Sequence, residues 1–181
     1  MALHSTGAII RSNPPFEGNI SEKPRMYKLG RKWLVEHQHE QKELLIDETN
    51  MNEVVYMYKC SESFLRIKGK INTITMDSCR KTSLVFDSVV ASMEFINCQS
   101  VEMQVLGTVG TISIDNTSGC KIYLSRDSLD VEITSSKSNE MNIMLPKENG
   151  EYIELAIPEQ CKTVVNEDRK SINTCVVENK I

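Results

Sequence analysis

Length, composition and charge place the chain among single-domain soluble proteins. Its 181 residues suffice to bury a core without disulfides or metals, and 40% are hydrophobic while 25% are charged. The formal net charge of −4 argues against nucleic acid or an anionic membrane as a partner. No apolar run approaches the roughly 20 residues that a membrane-spanning helix requires.

Residues 1–29 are predicted to form a flexible segment. Residues 1–13 contain no sustained apolar stretch and do not look like a secretory signal, and residues 14–28 carry three prolines, as linkers often do. A strand is expected at residues 30–36, where Trp33, the only tryptophan, would cover one end of the core. His37 and His39 would share a face of that strand. They could hold a metal, but no third ligand is identifiable.

A 19-residue period dominates the middle of the chain. Apolar residues recur at this spacing, and within each repeat they form i, i+2 pairs, the pattern of strands with one buried face. The four apolar columns are Val55, Ile74, Met93, Ile112 and Val131; Met57, Met76, Phe95, Ile114 and Ile133; Leu65, Leu84, Met103, Ile122 and Met141; and Ile67, Phe86, Val105, Leu124 and Ile143.

Two short strands and two turns in each repeat indicate one coil of a parallel β-helix. Equivalent strands of successive coils would stack about 4.8 Å apart, so each column should become a buried ladder of side chains. We therefore expect an all-β domain at residues 30–157, whose first coil begins with the apolar run Leu44–Ile46. No helix is expected over residues 60–145.

Three of the six cysteines follow the same period. Cys60, Cys79 and Cys98 form a column that continues to Thr117 and Ser136, as expected for small side chains at an inward-facing corner. A thiolate metal site or a redox pair is the alternative, but the closely spaced ligand pairs of zinc sites do not occur here. Free buried thiols in a reducing compartment fit this spacing best.

The period fails after the coils. Residues 151–157 alternate like a strand and end at Pro158, and the β-prone runs Cys161–Val165 and 172–177 predict a hairpin. Such a hairpin can cap its own open β-helix end or reach a partner, which would give a two-fold dimer. Residues 158–181 are therefore the predicted dimerisation element, with contacts from Cys161, Thr163, Val164, Val165, Ile172, Thr174 and Val176.

Two arrangements of charge are candidate functional sites. Asp77 and Asp115 would lie roughly 10 Å apart on either side of Ile96, slightly farther than the carboxylates of inverting glycosidases, and the sequence offers no aromatic platform for a sugar. Residues 59–81 hold six cations and two anions, a net charge of +4. The coils would bring these cations together, either as a solvated edge or as a docking patch for an acidic protein.

The same region resembles a known family. Tyr56-Met57-Tyr58-Lys59-Cys60, followed by Leu65-Arg66-Ile67-Lys68-Gly69-Lys70-Ile71-Asn72, is similar to the C-terminal domain of cyclase-associated proteins. The similarity extends over roughly residues 30–165, with further matches at Leu84-Val85-Phe86-Asp87 and Pro158-Glu159-Gln160.

The resemblance implies a right-handed β-helix that dimerises through exchanged C-terminal strands. It also implies a cytoplasmic, cytoskeleton-associated protein that binds monomeric actin, preferentially its ADP form, and promotes nucleotide exchange. No enzyme activity and no cofactor would be needed. The residues that we assign to the actin site are Lys59, Arg66, Lys68, Lys70, Asp77, Arg80, Lys81 and Asp87.

A GTPase activator related to tubulin cofactor C is the alternative function. Those proteins look structurally similar and use a β-helix to present a catalytic arginine. Such an arginine stabilises charge on a transferring phosphoryl group. Arg66 is the candidate, because Leu65 and Ile67 should point inward beside it. The cofactor pattern has a glutamine two residues before its arginine, where this chain has Phe64.

Overall fold

The computed structural model describes residues 23–167 and 170–177, and twelve of the fourteen strands in these ranges form a β-solenoid, while the last two form a separate hairpin. The strands are β1 Arg25–Leu29, β2 Lys32–Glu36, β3 Leu44–Ile46, β4 Val54–Tyr58, β5 Phe64–Asp77, β6 Ser83–Ile96, β7 Gln99–Val105, β8 Val109–Asp115, β9 Ser118–Tyr123, β10 Glu132–Ser136, β11 Asn139–Pro146, β12 Tyr152–Ala156, β13 Cys161–Val165 and β14 Ile172–Val176. A single 3-10 turn, Arg126–Ser128, stands between β9 and β10 among the described residues.

Each coil contributes one strand to each of two parallel stacks. The front sheet contains β3, the first half of β5, the first half of β6, β7, β9 and β11. The back sheet contains β2, β4, the second halves of β5 and β6, β8 and β10. Antiparallel β1 ends the back sheet and antiparallel β12 ends the front sheet. This confirms the predicted parallel β-helix, and the structure has about six turns.

The apolar columns are in register through the middle coils. In the front sheet, Leu65, Leu84, Met103 and Ile122 are paired in order and buried. In the back sheet, the buried column consists of Met57, Met76, Phe95 and Ile114, which are also paired in order. Phe86 and Phe95 are fully buried between the sheets, so the solenoid interior is filled by side chains.

The prediction of equal coils is wrong for the last coil. Ile133, not Val131, pairs with Ile112, and Ile143, not Met141, pairs with Ile122, so this coil is two residues longer than the 19-residue coils in the middle of the solenoid. The two additional residues are accommodated around the 3-10 turn Arg126–Ser128. Val131 is consequently only half-buried, although the 19-residue period predicts a core position.

Two edges connect the sheets. The first edge comprises the corners 37–40, 59–62, 78–81, 97–100, 116–119 and 137–140; the second edge comprises the turns 47–53, 68–72, 87–91, 106–108 and 124–131. Corners of the first edge repeat one conformation, in which residues such as Lys59, Ser78 and Asn97 have φ of 50°, 55° and 54°. That left-handed conformation is unfavourable for residues other than glycine by roughly 1–2 kcal/mol. Hydrogen bonds between coils offset it, for example from Lys59 N–H to Asp77 O at 3.0 Å.

The cysteine column forms an inward-facing ladder at the first edge. The thiols of Cys60 and Cys98 donate to Val35 O and Met76 O, each at 3.3 Å, and the column is buried. Contacts with the neighbouring thiols, together with burial, raise the pKa of Cys79. Among the described residues no group of His, Cys, Asp or Glu is arranged to hold a metal ion. The burial of the thiols and their hydrogen bonds to backbone carbonyls support the structural interpretation of the ladder.

The longer last coil also alters the predicted cysteine column. Thr117 Oγ1 accepts a hydrogen bond from Cys98 N–H, and Thr117 N–H donates to Ser138 Oγ, both at 3.1 Å. The column therefore continues to Ser138 and not to Ser136, which lies in β10.

The start of the domain also differs from expectation. β1 falls within the segment 1–29 that the sequence predicts to be flexible, and it adds a strand before residue 30. Its residue Lys28 lies over the Trp33 ring, 5.3 Å from the ring centre, while Trp33 packs against the end of the core. His37 and His39 follow β2 at a corner of the first edge and do not share a strand face. Residues 1–22, 168–169 and 178–181 lie outside the described residues.

Candidate partner-binding surface

A basic turn at the second edge presents two exposed cations. Lys68 and Lys70 flank Gly69, whose φ of 85° favours glycine at this position. Neighbouring coils hold the turn on both sides: Thr49 Oγ1 donates to Lys68 O at 2.6 Å, and Gly69 N–H donates to Asp87 Oδ2 at 2.7 Å. The backbone between the two lysines is thus fixed, while their side chains extend into solvent.

Arg66 supports this turn from within the front sheet. Its guanidinium donates to the Asp87 carboxylate and to Ile67 O, and it lies 3.4 Å from Val85 O. Partial burial opposes ionisation of Asp87, but the hydrogen bonds from Gly69 and Arg66 and the nearby positive charge lower its pKa. Arg66 and Asp87, both predicted as partner contacts, are thus engaged in contacts inside the domain.

The remaining predicted site residues lie at or beside the first edge. Lys59, Arg80 and Lys81 are exposed there, and Lys81 Nζ is 3.7 Å from Glu62 Oε1. Asp77 ends the back-sheet half of β5 and accepts hydrogen bonds from Tyr56 Oη at 2.6 Å and Ser78 Oγ at 2.8 Å. The Asp77 hydrogen bond and burial raise the pKa of Tyr56 to about 12. The Asp77 carboxylate is therefore paired within the domain.

The expectation of one contiguous basic patch is wrong. Lys68 and Lys70 occupy the second edge, whereas Lys59, Arg80 and Lys81 occupy the first edge. A front-sheet strand of about five residues, roughly 15 Å in length, separates the two groups. The 19-residue period places each cation within its coil, but it does not tell on which side of the strand a corner falls.

An aromatic cluster on the back sheet was not identified from the sequence. Tyr56 and Tyr58 are stacked with ring centres 6.1 Å apart. Lys32 Nζ lies 4.2 Å from the centre of the Tyr56 ring, and Lys59 Nζ lies 5.2 Å from that of Tyr58. The available signal was the i, i+2 spacing of two tyrosines around the inward-facing Met57, which turns both rings outward.

The carboxylate pair considered for glycoside hydrolysis has no catalytic geometry. Asp77 and Asp115 do lie on either side of Ile96 in one outward-facing row of the back sheet. The Asp77 carboxylate is already hydrogen-bonded to Tyr56 and Ser78, and Asp115 is exposed on the same row. This arrangement supports the interpretation of both groups as surface carboxylates.

The C-terminal end of the solenoid exposes apolar side chains. Ile153 and Leu155 in β12 are 44% and 48% exposed, although their partners Leu145 and Ile143 point toward the core. The hairpin β13–β14 confirms the predicted pair of strands. Its pairing places Cys161, Thr163, Val165, Ile172, Thr174 and Val176 on one face and Val164 on the other. All seven predicted dimer contacts are exposed in the single chain.

No helix among the residues that the structure describes is long and apolar enough to cross a membrane.

Comparisons with known proteins agree with this architecture. A solved structure of cyclase-associated protein from Cryptosporidium parvum superposes with a TM-score of 0.81 at 31% identity, covering 86% of this chain and 96% of that one. Adenylyl cyclase-associated protein 1 of Bos taurus is 46% identical over 91% of this chain and 37% of its own length. The corresponding protein of Dictyostelium discoideum is 51% identical over 79% of this chain and 32% of its own.

The chain thus spans about a third of the length of these curated relatives. Their names describe association with an adenylyl cyclase, not cyclase activity. A family model described as adenylate cyclase associated (CAP) C terminal matches residues 22–179. This match covers nearly the whole chain, which therefore belongs to the CAP C-terminal domain family.

Proposed function

We propose that this domain binds monomeric actin, preferentially its ADP form, and promotes nucleotide exchange so that monomers are recycled. Membership of the CAP C-terminal family supports an actin-related function in the cytoplasm, at the cytoskeleton. The observation that carries the proposal is the turn with Lys68 and Lys70, where two exposed cations stand on a fixed backbone. A rigid basic projection suits an acidic surface of a protein partner.

The proposed mechanism is conformational and needs no cofactor. If the domain binds actin more tightly when the nucleotide site is loosened, binding shifts actin toward that state. By linkage, the same difference in affinity weakens nucleotide binding by an equal factor. The charged groups at the two edges are then binding groups, and none of them is required to transfer a proton.

We further propose that the domain is a two-fold homodimer. The hairpin β13–β14 is a two-stranded element with an apolar face, and such elements have little stability alone. The open end of the solenoid beside β12 offers apolar surface and, among the described strands, an unpaired strand edge in the same molecule. Exchange of hairpins between two copies would cover both surfaces at once.

The geometry disfavours the alternative of a GTPase activator. An arginine finger must reach out of its own protein to a phosphoryl group. The Arg66 guanidinium is instead directed to the Asp87 carboxylate and to backbone carbonyls. Releasing it would leave Asp87 without its cation, so Arg66 is better suited to a supporting role.

The test is the double substitution Lys68→Glu and Lys70→Glu. Exposed charges contribute little to folding, so the melting temperature should be almost unchanged. Placing like charges against an acidic partner should weaken actin binding by at least about tenfold and slow nucleotide release from ADP-actin in parallel. Binding by the unaltered domain should also weaken with added salt.

A matched control is Lys137→Glu with Lys147→Glu, which makes the same charge change in the last coil, far from the basic turn. This control should bind actin like the unaltered domain. If the Lys68/Lys70 variant stays folded and still accelerates exchange at the original rate, the second edge is not the actin site.

A further inference from the structure

The basic turn at Lys68 and Lys70 is held by side chains of the two adjacent coils. Thr49, from the preceding coil, bonds the carbonyl oxygen of Lys68, and Asp87, from the following coil, bonds the amide of Gly69. A Cβ added to Gly69 would lie 2.5 Å from Thr49 Oγ1, so the threonine also packs directly against the turn. The turn is thus clamped at both polar atoms of the Lys68–Gly69 peptide bond.

Thr49 and Asp87, the two side chains that hold the turn, are themselves held in place. Asp87 uses one carboxylate oxygen for the Gly69 amide and the other for the Arg66 guanidinium, and Arg66 also bonds to backbone carbonyls. Thr49 is half-buried, and its hydroxyl reaches across 19 positions of sequence to a single acceptor. These contacts fix the backbone but leave both lysine side chains available to a partner.

Neighbouring turns of the second edge differ in what they present. The position of Lys68 corresponds to Asp87 in the next coil and to Leu106 in the one after, because Ile67, Phe86 and Val105 are in register. The Gly107 turn is also tied to its neighbours, since Ser128 Oγ donates to Gly107 O at 2.7 Å. Side-chain hydrogen bonds to a neighbouring turn thus occur more than once on this edge. Among the described turns, only Lys68–Lys70 combines such hydrogen bonds with two exposed cations.

We propose that Thr49 and Asp87 are positioning residues for the contact between the Lys68–Lys70 turn and actin. The inference rests on the proposed actin-binding function. A turn that is already fixed loses less conformational entropy on binding than a mobile one, so its two ammonium groups meet the acidic partner in a ready arrangement. Thr49 touches no partner in this scheme and acts through the backbone of the turn.

The test compares Thr49→Val, which removes the hydroxyl and keeps the shape, with Thr49→Ser, which keeps the hydroxyl. Three quantities are measured: actin affinity, melting temperature, and the hydrogen-exchange rate of the Gly69 amide in the free domain. We expect Thr49→Val to weaken actin binding about 3- to 10-fold and to speed Gly69 exchange, with little change in melting temperature. Thr49→Ser should restore affinity and exchange rate.

Asp87→Asn is the second variant, because a neutral amide has only one oxygen to accept the bonds from both Gly69 and Arg66. It should also weaken actin binding and speed Gly69 exchange. The Lys68→Glu, Lys70→Glu protein is the reference for a lost actin site. If that reference loses binding while Thr49→Val and Asp87→Asn bind normally, the positioning role is overturned and the actin site stands. If the reference binds normally, the proposed site itself is wrong, and the positioning role is overturned with it.

Discussion

The two ends of the solenoid are finished in different ways. At the first end, β1 folds back on β2, Trp33 packs on the core, and Gln38 takes the buried corner position that thiols occupy in later coils. The Gln38 amide then donates to Arg25 O at 2.9 Å, which ties β1 to that corner. At the last end, Val131 and Ile133 are only half-buried, and the Leu155 side chain of β12 is nearly half exposed.

One end of the solenoid is thus covered by the chain itself, whereas apolar side chains stay exposed at the other end. A solenoid has no closed core, so each end must be covered by a polar or apolar cap. The hairpin β13–β14 follows directly on the exposed end, and its two strands form a sheet separate from the solenoid. The proposed dimer contact is therefore expected at the C-terminal end.

The largest expected effect is the loss of the hairpin. Removing residues 159–181 should convert a dimer into a monomer or an aggregating protein, because the apolar surface at β12 loses its cover. Light scattering gives the mass directly. Removal of residues 1–22 is the control and should leave the dimer intact. An unchanged mass after the C-terminal deletion would refute the proposed role of the hairpin.

Substitutions in the core should lower the free energy of unfolding more in the tightly packed middle of the solenoid than at its C-terminal end. Phe95→Ala should lower the free energy of unfolding by about 3–5 kcal/mol, since a packed solenoid cannot collapse around the void. Val131→Ala removes less apolar volume at a half-buried position and should cost about 1 kcal/mol or less. Denaturant unfolding measures both. Equal losses of unfolding free energy in the two variants would mean that the last coil is packed as tightly as the middle coils.

The smallest effect concerns Glu53 at the closed end. Its carboxylate accepts hydrogen bonds from Lys28 Nζ at 2.7 Å and Trp33 Nε1 at 3.0 Å, and the bond from Lys28 is the main reason for its lowered pKa. A carboxyl whose pKa is lower in the folded state adds stability above its unfolded pKa, near 4.5, and loses that stability as the pH falls through its folded pKa.

Glu53→Gln should therefore lower the melting temperature modestly at pH 7, and the difference from the unaltered protein should shrink at pH 3. Glu48→Gln, an exposed change in the same turn, is the control and should have little effect at either pH. A difference that stays constant between the two pH values would show that the Glu53 charge does not stabilise the closed end.

Sequence periodicity was sufficient to predict the middle coils because their lengths are equal there. The pairing of Leu65 with Leu84 and of Ile74 with Met93 follows directly from the 19-residue step. Val131 and Ser136 were assigned to the wrong positions because a turn with two additional residues resets the register without changing the apolar character of the sequence.

The site was less accessible to sequence reasoning. Left-handed corners at Lys59, Ser78 and Lys81 carry no glycine, so their positions could not be read from residue type. Because the positions of the corners were unknown, the cations on either side of a strand could not be assigned to separate edges. Thr49 was missed because its contact with Lys68 depends on how the turns of adjacent coils approach each other, and one threonine carries no such signal.

The ladder of buried thiols gives each part of the solenoid its own reporter of opening. Cys60, Cys79 and Cys98 lie on successive corners and Cys120 lies in the front sheet, whereas Cys161 and Cys175 are exposed on the hairpin. A thiol reagent should modify Cys175, which is exposed and is not one of the predicted dimer contacts, at once, and should reach the buried thiols of the solenoid only when their coil opens. Unequal labelling rates along the ladder would reveal unravelling from one end, and a common rate would reveal that the coils open as a single cooperative unit.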